Sequence, residues 1–217
     1  MKRQQSGFTL VEIAIVLVII GLLLGGILKG QELINSAKVK NLANDFRVIP
    51  TYIYAYQDKY RAIPGDQAQA VLDTQFPPAN TATVGSGTAL GNGRIDGAWD
   101  SASGTESFVF WQHVRLANLA AGPTLTTDPN YRPKNSVGGF IGITSGAVIT
   151  TPTAMTGTYS LCSTGILGNF VKQLDTQVDD GNTQTGSMRA ADTTTPTAAV
   201  ATGSINDSNS YTVCMMF

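Results

Sequence analysis

Four sets of residues in this chain have types and spacings that bear on chemistry. The first is a lone acid, Glu12, set in an apolar run that continues to Leu28. A carboxylate at mid-bilayer is unfavourable by roughly 2.5–3.5 kcal/mol on insertion scales. A buried charge is tolerated when paired and strongly unfavourable when alone. Glu12 therefore needs either a cationic partner or a place near the headgroups that its side chain can reach. The second set is the pair Cys162 and Cys214, whose spacing fits no metal motif. The third is two groups of hard oxygen donors, Asn92, Asp96 and Asp100 beside turn glycines, and Asp175, Asp179 and Asp180 before Gly181-Asn182. Calcium takes several such oxygens at flexible geometry. The first group departs from the EF-hand pattern because Arg94 stands at a ligand position. A turn with Asx hydrogen bonds, or a helix-ending turn, is the simpler account of each. The fourth is His113, the sole histidine, which lies near Trp111 with no cysteine or serine pattern around it. A structural role is expected for it. No G-x-S-x-G, Walker or H-E-x-x-H motif is present, so neither a catalytic residue nor enzyme activity is expected.

The element that must position Glu12 is a single long helix. Lys2 and Arg3 lead the chain, followed by Gln4, Gln5, Ser6 and Gly7. Positive charge on this side favours an N-terminus left in the cytoplasm. Phe8 to Leu28 is 21 residues, broken only by Thr9 and Glu12. About 20 apolar residues span a bilayer core. An ordinary secretory signal places its small-residue cut after the apolar core. Here the small residue, Gly7, comes before it, so cutting there would remove the leader and keep the anchor. Gly21 and Gly25 form a G-x-x-x-G pair, repeated by Gly26 and Gly30. Such spacing lets helices approach closely. It also weakens a helix, by about 1 kcal/mol per glycine relative to alanine.

In these residues the chain resembles the type IV pilins and type II secretion pseudopilins. Gly7-Phe8-Thr9-Leu10-Val11-Glu12 looks like their processing site, and the close resemblance covers about the first 35 residues. It implies that a prepilin peptidase cuts between Gly7 and Phe8 and methylates the new Phe8 amine. It also implies a homo-oligomeric helical filament, with other pilins or pseudopilins as partners. In such a filament the Phe8 amine of one subunit could meet Glu12 of its neighbour. Gly21 and Gly25 would then be points of close packing or local loosening.

Composition narrows the rest. The chain has 217 residues, enough for one globular domain and an anchor. Charged residues make up 13%, and loss of Lys2 and Arg3 would take the net charge from −1 to −3. No basic patch argues for nucleic acid. The positive leader places everything after Leu28 outside the cytoplasm, where disulfides persist. A Cys162–Cys214 bridge is the natural reading, with two free thiols as the alternative. It would tie down the C-terminus, in the manner of the disulfide-bounded region of many type IV pilins.

Beyond the anchor, Leu33, Ala37, Leu42, Phe46, Ile49, Ile53, Tyr56 and Tyr60 form an amphipathic stripe. Pro50 should kink the helix or start a new turn. A helix from Phe8 to Tyr60 would be about 80 Å long. Ile63-Pro64-Gly65-Asp66 ends it. A short helical piece is expected around Gln67–Leu72, and Phe76-Pro77-Pro78 breaks structure. A helix is expected over Glu106–Leu119, capped by Ser103 or Thr105, with Phe108, Trp111, Leu116 and Leu119 facing the core. Strands are expected at Gly139–Thr144, Ala147–Ile149, Tyr159–Ser163 and Tyr211–Met216, a helix at Ile166–Val178, and an exposed loop at Asp192–Ser204.

The expectation is an α+β, pilin-like fold: leader 1–7, membrane or filament-core helix 8–28, amphipathic extension 29–62, and a head domain 63–217 with a small antiparallel sheet. The expected function is that of a structural filament subunit. The alternatives are a type II secretion pseudopilin and an extracytoplasmic binding domain tethered by the same helix. The cytoplasmic membrane is its expected location before assembly. No cofactor is expected apart from the calcium candidates.

Overall fold

The computed structural model describes residues 9–76, 82–86 and 90–217. The leader, Phe8, Pro77 and Pro78 lie outside the described residues. The chain divides into two compact units, one ending at Lys38 and the other beginning at Val39.

Helix α1 (Leu10–Tyr60) runs 51 residues and passes from the first unit into the second. Its two parts obey different rules. In the first unit, apolar side chains from Leu10 to Ile34 are exposed within the chain. In the second, one face is buried: Val39, Leu42, Ala43, Phe46, Ile49, Ile53 and Tyr56. The buried stripe thus begins at Val39, not at Leu33, because Leu33 and Ala37 belong to the unit that has no core of its own. The helix continues through Pro50 as one element. Proline inside a helix is unfavourable by about 3 kcal/mol, but Ile49, Pro50 and Ile53 are buried together, and that packing offsets the loss. The helix stops where Arg61 turns left-handed, at φ 55°.

The second unit continues with α2 (Gln69–Gln75) and α3 (Glu106–Leu116). Thr105 caps α3, its side chain accepting from the Phe108 amide at 3.3 Å. Every residue of α3 from Glu106 to Arg115 is buried. A one-sided reading of this helix is therefore too narrow, and Leu116 and Leu119 are only half-buried. Next come β1 (Ile141–Ser145), β2 (Tyr159–Leu167), α4 (Gly168–Val178), β3 (Met188–Asp192) and β4 (Ser210–Met216). They form a four-stranded antiparallel sheet in the order β1-β2-β4-β3.

Successive strand residues face opposite sides, and the sheet uses both. Leu161, Val213 and Ala190 face the main core, with α1, α3 and α4. Cys162, Cys214, Ala191 and Met216 face a smaller cluster with Ile149 and Met155. Gly142 in β1 lies so close to the Trp99 carbonyl that a Cβ would collide with backbone.

Three further expectations need correction. Ala147–Ile149 is not a strand: Gly146, at φ 83°, turns the chain away after Ser145, and Ile149 packs in the smaller cluster instead. Ile166 belongs to β2, opposite Tyr211, so α4 starts two residues later at Gly168. Strand β3 was not foreseen. Met188-Arg189-Ala190-Ala191-Asp192 has no β-branched or aromatic residue, and its pairing with β4 alone makes it a strand.

Candidate functional site

The site begins with the first turn of α1. The Thr9 amide and hydroxyl each donate to Glu12 Oε2 at 2.8 Å, and the Glu12 amide donates to Thr9 Oγ1 at 3.3 Å. This reciprocal pair is a capping box, which satisfies amides that a helix start leaves without partners. The Thr-x-x-Glu spacing carries that signal in the sequence. Reading Glu12 only as a docking charge passes it over. Glu12 thus has a use within its own chain, while its carboxylate remains exposed.

Beyond this cap, the helix from Ile13 to Leu28 presents apolar residues on all sides, and none is buried by the chain. A helix apolar all round is stable only when lipid or protein covers it. It is long and apolar enough to cross a membrane. At Gly21, Gly25, Gly26 and Gly30 an added Cβ would meet nothing within 4 Å. The chain's own packing therefore does not require these glycines. The open faces they leave are available to a neighbouring helix. Gly7 and Phe8, the expected processing pair, lie outside the described residues.

Residues 2–28 match the family described as the prokaryotic N-terminal methylation motif. This match supports a type IV pilin-like or pseudopilin-like prepilin. The motif indicates a structural subunit, processed by a prepilin peptidase and assembled with other pilins. Together with the one helix among the described residues that is long and apolar enough to cross a membrane, it fits a single-pass, membrane-anchored protein. Among curated proteins, none matches the chain significantly.

The head of this prepilin-like chain brings some expected residues together and separates others. Cys162 and Cys214 form a disulfide between β2 and β4, where they are direct register partners. Asn92 and Asp96 are joined, but by each other and by Arg94. Asn92 Nδ2 donates to Asp96 Oδ2 at 3.1 Å, and Arg94 Nε lies 3.5 Å from Asp96 Oδ1. A cation is thus already supplied by the chain. Asp100 is not joined to them by any of these bonds; its backbone carbonyl accepts from Arg132 at 2.8 Å.

The loop is organised by a residue the sequence reading did not single out. Asp66 is buried, and its carboxylate accepts from the Gly91, Asn92 and Gly93 amides. A carboxylate facing successive amides near glycines is a recurrent arrangement. The available signal was Gly65-Asp66 after the helix together with Gly91-Asn92-Gly93. Glu106 reinforces the loop, accepting from the Asp96 amide at 2.8 Å. Burial, with Asp66 and Asp96 nearby, raises its pKa above the ordinary carboxylate value.

His113 is fully buried in α3 and structural, as expected. The Gly65 amide donates to Nδ1 at 2.9 Å, so the proton sits on Nε2, 2.9 Å from the Thr83 carbonyl. Both ring nitrogens are thus used in the neutral form. Burial lowers its pKa from 6.5 to about 4.

Proposed function

We propose that this chain is the structural subunit of a type IV pilus-like filament. It is cut after Gly7, held in the cytoplasmic membrane with its head outside, and then assembled through the apolar part of α1. The observation that carries this reading is the exposure of Leu10 to Leu28 around the whole helix, in a chain whose head is well packed. Lipid covers that surface in the monomer, and the same segments of neighbouring copies cover it in a filament.

Pairing explains the lone acid. Cleavage leaves a cationic amine on Phe8, four residues before Glu12. The Glu12 carboxylate uses Oε2 toward Thr9 and keeps further acceptor capacity for a neighbour's amine. An unpaired acid in the filament core would be strongly unfavourable, so pairing selects one docking register.

The test is electron microscopy of sheared surface material, with mass spectrometry of the fibres. The expected result is fibres composed of this chain, beginning at a methylated Phe8. Fibres confined to the periplasm and linked to protein export would make it a secretion pseudopilin. A processed chain that remains a dispersed membrane monomer would refute the filament role.

A further inference from the structure

Arg115 lies in the last turn of α3 and is 6% exposed, yet none of the four ion pairs among the described residues involves it. Its Nη1 donates to the Pro123 carbonyl at 2.9 Å and to the Tyr131 carbonyl at 2.7 Å. Its guanidinium lies over the Trp111 and Tyr131 rings, 5.9 and 5.2 Å from their centroids. These contacts fix the group, but its buried Nε has no hydrogen-bond partner. A buried charge without a counterion is strongly unfavourable. Burial accordingly lowers the Arg115 pKa, while Tyr131 and Asp128 oppose this. Asp128 forms no ion pair with it, and its carboxylate accepts instead from the Asn130 amide at 2.7 Å.

Two more cations stand at the same place. Arg115, Arg132, Lys134 and Asn130 line a cavity of about 370 Å³, whose walls include Gly122 and Pro133. Among the described residues, no Asp or Glu lines it. Arg132 Nη2 donates to the Asp100 carbonyl at 2.8 Å, and its guanidinium is 4.0 Å from the Phe140 ring centroid. Lys134 Nζ is 5.9 Å from the same ring. Neither cation enters an ion pair among the described residues. A carbonyl and an aromatic face steady a cation but bring no net charge to cancel it. A cation at the end of α3 also suits the helix dipole. That accounts for Arg115 by itself, not for Arg132 and Lys134 beside it. Three positive charges around one cavity repel one another unless an anion joins them.

We propose that this cavity binds a dianionic phosphate group, held by Arg115, Arg132 and Lys134, either as inorganic phosphate or as a phosphomonoester. Guanidinium forks match the oxygens of phosphate, and a lysine adds a point charge. A carboxylate would neutralise one of the three cations, whereas a phosphate group carries a charge of about −1.5 to −2 near pH 7. The cavity volume falls at the small end of the range for ligand sites, about 300–1,000 Å³. The Ile141 amide donates to the Pro133 carbonyl at 3.0 Å, so the anion would join the end of α3 to the segment that leads into β1. The site belongs to the head and does not rest on the filament reading.

The test titrates sodium phosphate into the full-length processed chain in mild detergent, at neutral pH and low salt, by calorimetry and phosphorus NMR. The expected result is one phosphate per chain with a dissociation constant of about 1 mM or tighter, weakening as salt rises. Glycerol phosphate separates the two sources. Tighter binding than inorganic phosphate marks a phosphomonoester as the ligand, and weaker binding marks the free anion. Lys134 is exposed and Arg132 half-buried, so both can be replaced without opening the core. Arg132→Gln and Lys134→Gln should each weaken binding about tenfold, and the double variant should abolish it. Lys172→Gln removes an equal charge from a residue paired with Asp207, outside the cavity, and should leave binding unchanged. No binding up to about 10 mM phosphate, acetate binding as tightly as phosphate, or binding that survives in the double variant overturns the proposal. So does an equal loss in Lys172→Gln, which would make the effect one of net charge alone.

Discussion

Thr9 and Glu12 cap one another across the first turn of α1, with two donors from Thr9 on Glu12 Oε2 and the Glu12 amide on Thr9 Oγ1. This gives Glu12 a capping role separable from the docking charge proposed for it. Glutamine serves in a capping box as glutamate does, but it carries no charge. Glu12→Gln should therefore insert and be cut normally, yet assemble as poorly as Glu12→Ala. Fibre yield in sheared fractions is the readout. Normal fibres from Glu12→Gln would show that the cap, not the charge, is what assembly needs.

The proposed cut follows the small residue before Phe8. Gly7→Glu should leave the leader attached, and mass spectrometry of the membrane-bound chain should show the unprocessed mass. A mature mass beginning at methylated Phe8 would place the specificity elsewhere.

The two parts of α1 should respond oppositely to truncation. Phe46 is 1% exposed and Leu17 63% exposed. Phe46→Ala should destabilise the head by about 3–5 kcal/mol, read by denaturant unfolding of the solubilised chain. Leu17→Ala should leave that transition unchanged and reduce fibre yield instead. A large effect of Leu17→Ala on head unfolding would contradict the division.

The bridge between β2 and β4 closes a loop of sequence separation 52. In the chain-entropy model it contributes about 4 kcal/mol. Replacing both cysteines by serine should lower the unfolding temperature by roughly 8–16 °C for a chain of this size. Reductant should have a similar effect on the wild type and none on the double variant.

His113 is the sole histidine, so its imidazole signals in NMR are unambiguous. They should titrate near pH 4 instead of near 6.5. The unfolded chain binds this proton first as pH falls. The histidine's contribution is therefore complete above about pH 6.5 and is lost progressively down to about pH 4, an effect on the order of 3 kcal/mol. A midpoint near 6.5 in the folded protein would refute its burial. The carboxyl groups of Asp45 and Asp175, raised by burial to about 6 and about 7, act in the opposite sense. The imidazole signal isolates the histidine from them.

The sequence by itself determined the N-terminal business of this protein. The charged leader, Gly7-Phe8, the capping pair and the apolar run are local signals, each set by neighbours a few residues away. Two cysteines allow one intramolecular bridge, and the structure contains it. The α+β head with its antiparallel sheet was also legible, because β2, β4 and α4 carry strong local patterns. Only the tertiary structure decided the rest. Strand β3 exists because β4 pairs with it, and α3 is buried on every side because α1, the sheet and long loops surround it. Asp66 organises a loop some 25 residues away. Asp175 looks like any helix-surface acid in the sequence and is 1% exposed in the fold. Whether a polar side chain is solvated or buried without a partner depends on which distant segments pack over it, and spacing along the chain does not encode that directly.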